Sequence, residues 1–272
     1  MKKIFKNLLV SSLVAVLLTG CSNTDDSKLS GTVTVGGSTS VEGVILSAIE
    51  VFNEENPSVT ITYNPTGSST GVKSASSGDY DIGLASRDVK ESEVSEYKVK
   101  GTVFAIDGIA IVINNENPIN DLTVAQIAGI SDGSITNWKE VGGLDSPIVL
   151  IGREAGSGTR DGFESIVKVD NCVYNQELTS TGAIIGAVSQ NPNAIGYASL
   201  SSVSEEVKLI AVEGVVPSDE TIKDGTYKIQ RNFNFVTSTE KELSVAAKAF
   251  YDFVLSDAST EIIQNAGAVS LN

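Results

Sequence analysis

Apolar positions along this chain repeat at two distinct periods, and the period changes again and again. Residues 32–35 (T-V-T-V) alternate as a short strand. After a Gly/Ser/Thr turn at 36–40, Val41, Val44, Ile45, Ala48, Ile49 and Phe52 fall on one face of a helix. Thr39 and Glu42 have capping-box spacing, which predicts a helix start at Thr39 or Ser40, and Asn56-Pro57 closes it. The cycle then repeats. Strands are predicted at 59–63 and 81–85, with a short helix from the turn at 67–71 to Ala75 and an acidic helix near 91–97. A long apolar run at 103–113 is broken by Asp107-Gly108. Further on come a helix at 124–130, a loop at 135–143, strands at 148–151 and 194–198, and helices from about Arg160 and over 183–188. Residues 229–236 alternate weakly, and 240–255 carry Leu243, Ala246, Ala247, Phe250, Tyr251 and Val254 on one helical face. Strand–helix alternation of this kind predicts an α/β fold with helices on both faces of its sheets. The Trp138 loop is read as packing.

The first twenty residues follow a different rule. Lys2, Lys3 and Lys6 precede an apolar run at 8–18, which suits a signal-peptide core and is too short to span a bilayer. Leu18-Thr19-Gly20-Cys21 resembles the lipobox of bacterial lipoproteins, which implies cleavage before Cys21, acylation of its thiol and an anchor on the outer face of the cell membrane. The polar stretch 21–29 reads as a tether.

Charge and composition then narrow the function classes. Removing 1–20 deletes three lysines and no acid, taking the net charge from −15 to −18. So acidic a surface repels nucleic acid, and a free anion as well, so any anion site must work through short-range hydrogen bonds and local dipoles. Histidine is absent, which excludes Ser–His–Asp and Cys–His catalysis and imidazole metal sites. With Cys21 acylated, Cys172 has no disulfide partner and reads as a small core residue. Ser69 and Lys73 miss the Ser-x-x-Lys spacing by one residue. A P-loop is absent, and Gly156-Ser157-Gly158 with Gly162 misses the dinucleotide spacing. No enzyme, metal or cofactor is expected.

Three Ser/Thr/Gly turns at 37–40, 67–71 and 156–159 each lie between a strand and a helix. In an open α/β sheet such turns collect at the carboxyl ends of strands. Helix N-termini offer unpaired N–H groups there, glycine admits a ligand to the backbone, and hydroxyls add neutral donors. Three converging turns suit a small tetrahedral oxyanion, with Arg87 and Arg153 nearby and Arg153 able to offer a two-pronged donor.

The segments G-G-S-T-S (36–40), T-G-S-S-T-G-V-K (66–73), D-I-G-L-A-S-R (81–87), D-G-I-A-I-V-I-N (107–114) and G-R-E-A-G-S-G-T-R (152–160), in this order, resemble the PstS family of phosphate-binding lipoproteins. I-T-N-W (135–138) and N-A-I-G-Y-A (193–198) fit it too, so the resemblance covers nearly all of the chain after its leader. It implies a two-lobed periplasmic-binding-protein fold of type II, with two crossover hinge strands and inorganic phosphate in the cleft. It also implies delivery of that phosphate to the membrane permease subunits of an ABC importer. Carried over by position, Ser38 and Thr39 bind from the first turn and Ser68 from the second. Arg153, Ser157, Gly158 and Thr159 bind from the third, and Ser86 and Arg87 of the D-I-G-L-A-S-R segment are further candidate contacts.

One departure concerns specificity. The better-known branch of the family has an aspartate directly after the serine equivalent to Ser86, where this chain has Arg87. The acceptor for the phosphate proton is then Asp107, which breaks an apolar run, or Asp88; alternatively Asp107 belongs to a structural ion pair, for instance with Arg87. A buried acceptor is left unpaired by sulfate and can discriminate by roughly 10⁴–10⁵, so Asp107→Asn is expected to narrow the gap between phosphate and sulfate. Two alternatives share the motif set: a binding protein for sulfate, molybdate or tungstate, and a phosphate sensor or adhesion module. The expected division is a leader at 1–20, a tether at 21–29, a first lobe at 30–107 plus 231–272, and a second lobe at 108–230.

Overall fold

The computed structural model describes residues 28–272; Cys21, the leader and most of the expected tether lie outside the described residues. The chain runs through β1 (Gly31–Gly37), α1 (Glu42–Glu55), β2 (Val59–Pro65), α2 (Ser68–Ser77), β3 (Ile82–Ala85), α3 (Glu91–Tyr97) and β4 (Val99–Ile113). β1 pairs in parallel with β2 on one side and β3 on the other. The strand Gln230–Ser238 lies antiparallel between β3 and β4. Beyond β4 come the antiparallel strand Ala194–Ser199, then Val149–Arg153 and Gln176–Leu178 in parallel.

β4 explains the two-lobed shape. Its first part, Val99 to Gly108, pairs with Gln230–Ser238, while Ile109 to Ile113 pair with Ala194–Ser199. Fifteen residues at about 3.4 Å each reach roughly 50 Å, enough to serve two bodies in turn. The buried clusters change over along this strand. Phe104 and Ala105 pack with Val35, Ile45, Phe52, Phe235 and Phe250 in one core, whereas Ile109, Ile111 and Ile113 pack with Trp138, Phe163, Tyr197 and Tyr227 in the other. Between them Asp107 sits opposite Arg231.

The α1 stripe behaves as its spacing predicts: Val44, Ile45, Ala48, Ile49 and Phe52 are buried, and Phe52 meets Phe250 edge-on at 5.4 Å. That contact ties the helix Val245–Leu255 to the first core. The helix starts are shifted. The Thr39–Glu42 capping box does not form; Ser38 instead caps a single 3-10 turn over Thr39–Val41, its Oγ accepting from Ser40 N–H, and the α-helix begins at Glu42. The helix expected over 240–255 likewise starts at Val245, capped by Ser244, rather than at 240. Trp138 is buried and its indole N–H donates to Asn193 C=O at 3.0 Å, a packing role. Cys172 is half-buried beside the second core.

Candidate functional site

The three turns converge where the lobes face each other. Ser38, Thr39 and Ser40 follow β1, and all three are buried. Ser68 opens α2; its Oγ accepts from Ser86 N–H at 3.1 Å and lies 3.3 Å from Ser86 Oγ. From the second lobe, Ser157 caps the helix Gly158–Val167, its Oγ accepting from Arg160 N–H, and Gly158 and Thr159 form that helix's first turn.

Hydrogen bonds cross between the lobes. Ser40 Oγ is 2.8 Å from Thr159 Oγ1 and 3.1 Å from Thr181 Oγ1, and Thr39 Oγ1 is 3.2 Å from Thr181 Oγ1. Ser69 N–H donates to Gly156 C=O at 3.1 Å. Gly158 is needed for this fit: a Cβ there would stand 2.5 Å from Ser68 Oγ and 2.7 Å from Ser86 Oγ.

Arg153 supplies the positive charge. It is buried, and its Nη1 donates to Thr181 Oγ1 at 3.2 Å. Nε and Nη2 go to the Glu154 carboxylate at 2.9 and 3.0 Å, which offsets much of that charge. Both backbone groups of Arg153 are held as well: its N–H donates to Tyr197 Oη, and its C=O accepts from Arg160. Burial raises the Tyr197 phenol far above its ordinary range, so it stays neutral. What remains is a dense set of hydroxyls, one partly offset guanidinium, and the N-termini of α2, Gly158–Val167 and Thr181–Gln190, whose dipoles favour an anion.

Ser40 and Thr181 belong to this cluster and were not among the residues expected from sequence. Thr179-Ser180-Thr181-Gly182 has the composition of the other three turns, but the strand before it, Gln176–Leu178, is three residues long and mostly exposed, so no periodicity marks it.

Asp107 has other partners. Its carboxylate is fully buried and accepts from Ser199 Oγ at 2.7 Å, Arg231 Nη2 at 2.9 Å, Arg231 Nε at 3.1 Å and Ser201 N–H at 3.4 Å. Burial pushes its pKa up, against the attraction of Arg231. The ion pair is therefore with Arg231, not Arg87. Asp88 is committed too, accepting from Asn232 at 2.9 Å and Asn234 at 3.3 Å. Arg87 is held by Glu93, with both terminal nitrogens at 2.7 Å, and reaches the turns only through Ser69 Oγ at 3.2 Å. Among the described residues no carboxylate hydrogen-bonds to the Ser/Thr cluster directly, and no group of acids and cysteines has the arrangement of a metal site.

The chain and its fold have counterparts among known proteins. A profile for the PBP superfamily domain matches residues 22–258. The phosphate-binding protein PstS of Borreliella burgdorferi is 31% identical over 284 residues, covering 100% of this chain and 99% of the relative. That of Bacillus subtilis is 31% identical over 254 residues, covering 90% of this chain and 82% of the relative. Among solved structures, a phosphate ABC transporter substrate-binding protein with bound phosphate from Clostridium perfringens superposes with a TM-score of 0.86 at 40% identity, covering 89% of this chain and 100% of that one. An ABC-type phosphate transport receptor from Vibrio cholerae gives 0.72 at 32% identity, covering 88% of this chain and 100% of that one. By fold and by sequence along its length, this chain belongs to the PBP superfamily and, within it, to the PstS family of phosphate-binding proteins.

Proposed function

We propose that this chain captures inorganic phosphate in the cleft between its lobes and hands it to the permease subunits of an ABC importer. It is a binding protein, not an enzyme, as its relatives are. The observation that carries the reading is the meeting of Ser40, Thr159 and Thr181 hydroxyls from two lobes beside Arg153, in a setting where three helix N-termini favour an anion. Ser38, Thr39, Ser68, Ser86, Arg153, Ser157, Gly158 and Thr159 are the proposed ligand residues, with Ser40 and Thr181 added to them. Arg87 serves at the rim through Ser69. The changeover of cores at Asp107 and Arg231 supports a first lobe of 30–107 plus 231–272 and a second of 108–230.

With Asp107 and Asp88 engaged elsewhere, the phosphate proton would be accepted by a serine or threonine hydroxyl. A hydroxyl can turn to donate to sulfate instead, so selectivity for phosphate over sulfate should fall short of the roughly 10⁴–10⁵ that a dedicated buried acceptor provides. Calorimetry of the chain from Ser22 with phosphate, sulfate and molybdate tests both statements. Tight binding of molybdate with none of phosphate would sink the proposal.

Lipidation at Cys21 and an extracytoplasmic, membrane-anchored location are part of the same proposal, supported by the basic, apolar and L-T-G-C order of residues 1–21. Mass spectrometry of the N-terminal peptide from membranes decides it: an unmodified Cys21 removes the anchor.

A further inference from the structure

Outside the hydroxyl cluster a second set of contacts joins the lobes, and it is made of charges. Asp161 lies in the first turn of the helix Gly158–Val167, on the second lobe. Its Oδ2 is 2.9 Å from Arg87 Nε and 2.8 Å from Lys90 Nζ, both on the segment that follows β3 in the first lobe. Neither Arg87 Nε nor Asp161 Oδ2 has the alignment of a hydrogen bond, so the attraction is between charges rather than along a directed bond. Glu93 and the Asp88 carbonyl hold the other two guanidinium nitrogens of Arg87, so its head is fixed on the first lobe independently of Asp161. Arg87, Lys90 and Asp161 line a cleft of about 750 Å³ between the lobes, together with Asp88, Glu164 and Arg231.

We propose that Asp161 is a positioning residue for lobe closure: with Arg87 and Lys90 it forms an electrostatic latch that favours the closed shape and so tightens ligand binding without touching the ligand. The proposal rests on the reading of the hydroxyl cluster as the phosphate site. That cluster is complete only when Ser40 meets Thr159 and Thr181 across the cleft, so an open molecule offers half a site. The apparent dissociation constant is then the intrinsic one divided by the fraction closed, and any interlobe attraction raises that fraction. Arg87 is buried at 6% exposure while Asp161 is 27% and Lys90 55% exposed, so the latch is partly screened and must weaken with salt.

The test uses Asp161→Asn and Lys90→Gln, singly and together, in the full chain. Phosphate titrations are run at about 50 and about 500 mM salt, with small-angle scattering in the absence of phosphate. Asp161→Asn is expected to weaken phosphate binding about 3- to 10-fold at low salt and to lose most of the difference at high salt. Lys90→Gln should have a smaller effect that vanishes on the Asp161→Asn background. The ligand-free radius of gyration should rise toward an open shape, and Asp161→Glu should restore the salt-dependent affinity. An Asp161→Asn chain with wild-type affinity and wild-type radius overturns the latch, as do fully additive effects of the two substitutions. Failure of the unmodified chain to bind phosphate would refute the functional reading instead; the ligand-free scattering comparison would still decide the latch.

Discussion

Gly158→Ala is the sharpest perturbation this fold allows. The added methyl would stand 2.5 Å from Ser68 Oγ, 2.7 Å from Ser86 Oγ and 3.0 Å from the Ser86 carbonyl carbon, all of them across the cleft on the first lobe. Carbon and oxygen need well over 3 Å, so the methyl is tolerated only if the hydroxyls turn aside or the lobes stay apart. No atom of the second lobe is among these nearest neighbours, and alanine is a better helix former than glycine, so the unliganded protein should fold normally. Hydrogen bonds to a charged partner contribute about 1.5–3 kcal/mol each, so losing two hydroxyls removes about 3–6 kcal/mol, or about 10²- to 10⁴-fold in Kd. Calorimetry reads the affinity, and thermal unfolding with and without phosphate shows whether the ligand-induced rise in Tm is lost while the unliganded Tm is kept. Phosphate binding by Gly158→Ala within about threefold of the parent would refute the argument, because the ligand would then not need Ser68, Ser86 and the helix start in contact.

Three other outcomes are expected. Thr181→Val removes the hydroxyl that accepts from Arg153 and meets Ser40 and Thr39, and should weaken phosphate binding about tenfold in titration at about 1.5 kcal/mol for one bond to a charged partner. Asp107→Asn leaves the buried Arg231 charge uncompensated and should cost about 3–5 kcal/mol in urea unfolding. Given the partners of Asp107, the phosphate-to-sulfate ratio of that variant should not move, and a narrowed ratio would return Asp107 to the ligand site. Burial works against the Glu93 carboxylate, but hydrogen bonds from Arg87 and the Lys90 N–H outweigh it and hold its pKa below the ordinary 4.5. A depressed pKa means stability that is complete above the ordinary value and lost as pH falls through the folded one. Acid unfolding of Glu93→Gln should therefore show a shallower loss below about pH 4.5 than the parent.

Local sequence determined the alternation of strands and helices, the buried stripe of α1 and the chemistry of three of the four turns, because each depends on neighbours a few residues apart. Composition alone excluded histidine-based catalysis, since an absent side chain needs no fold to be absent. Asp107 was visible as an anomaly in an apolar run, but its partner was not. Arg231 lies 124 positions away and reaches Asp107 only through the register of Gln230–Ser238 on β4, which no local pattern encodes. Arg87 likewise looked like a ligand residue until the first turn of α3 put Glu93 against its head. Thr181 joined the site because a short exposed strand happened to end beside Arg153. The types of group available were fixed by the chain alone. Which of them face one another was decided by tertiary structure, since hydrogen bonds and ion pairs act over about 3 Å and only the packed fold brings distant residues that close.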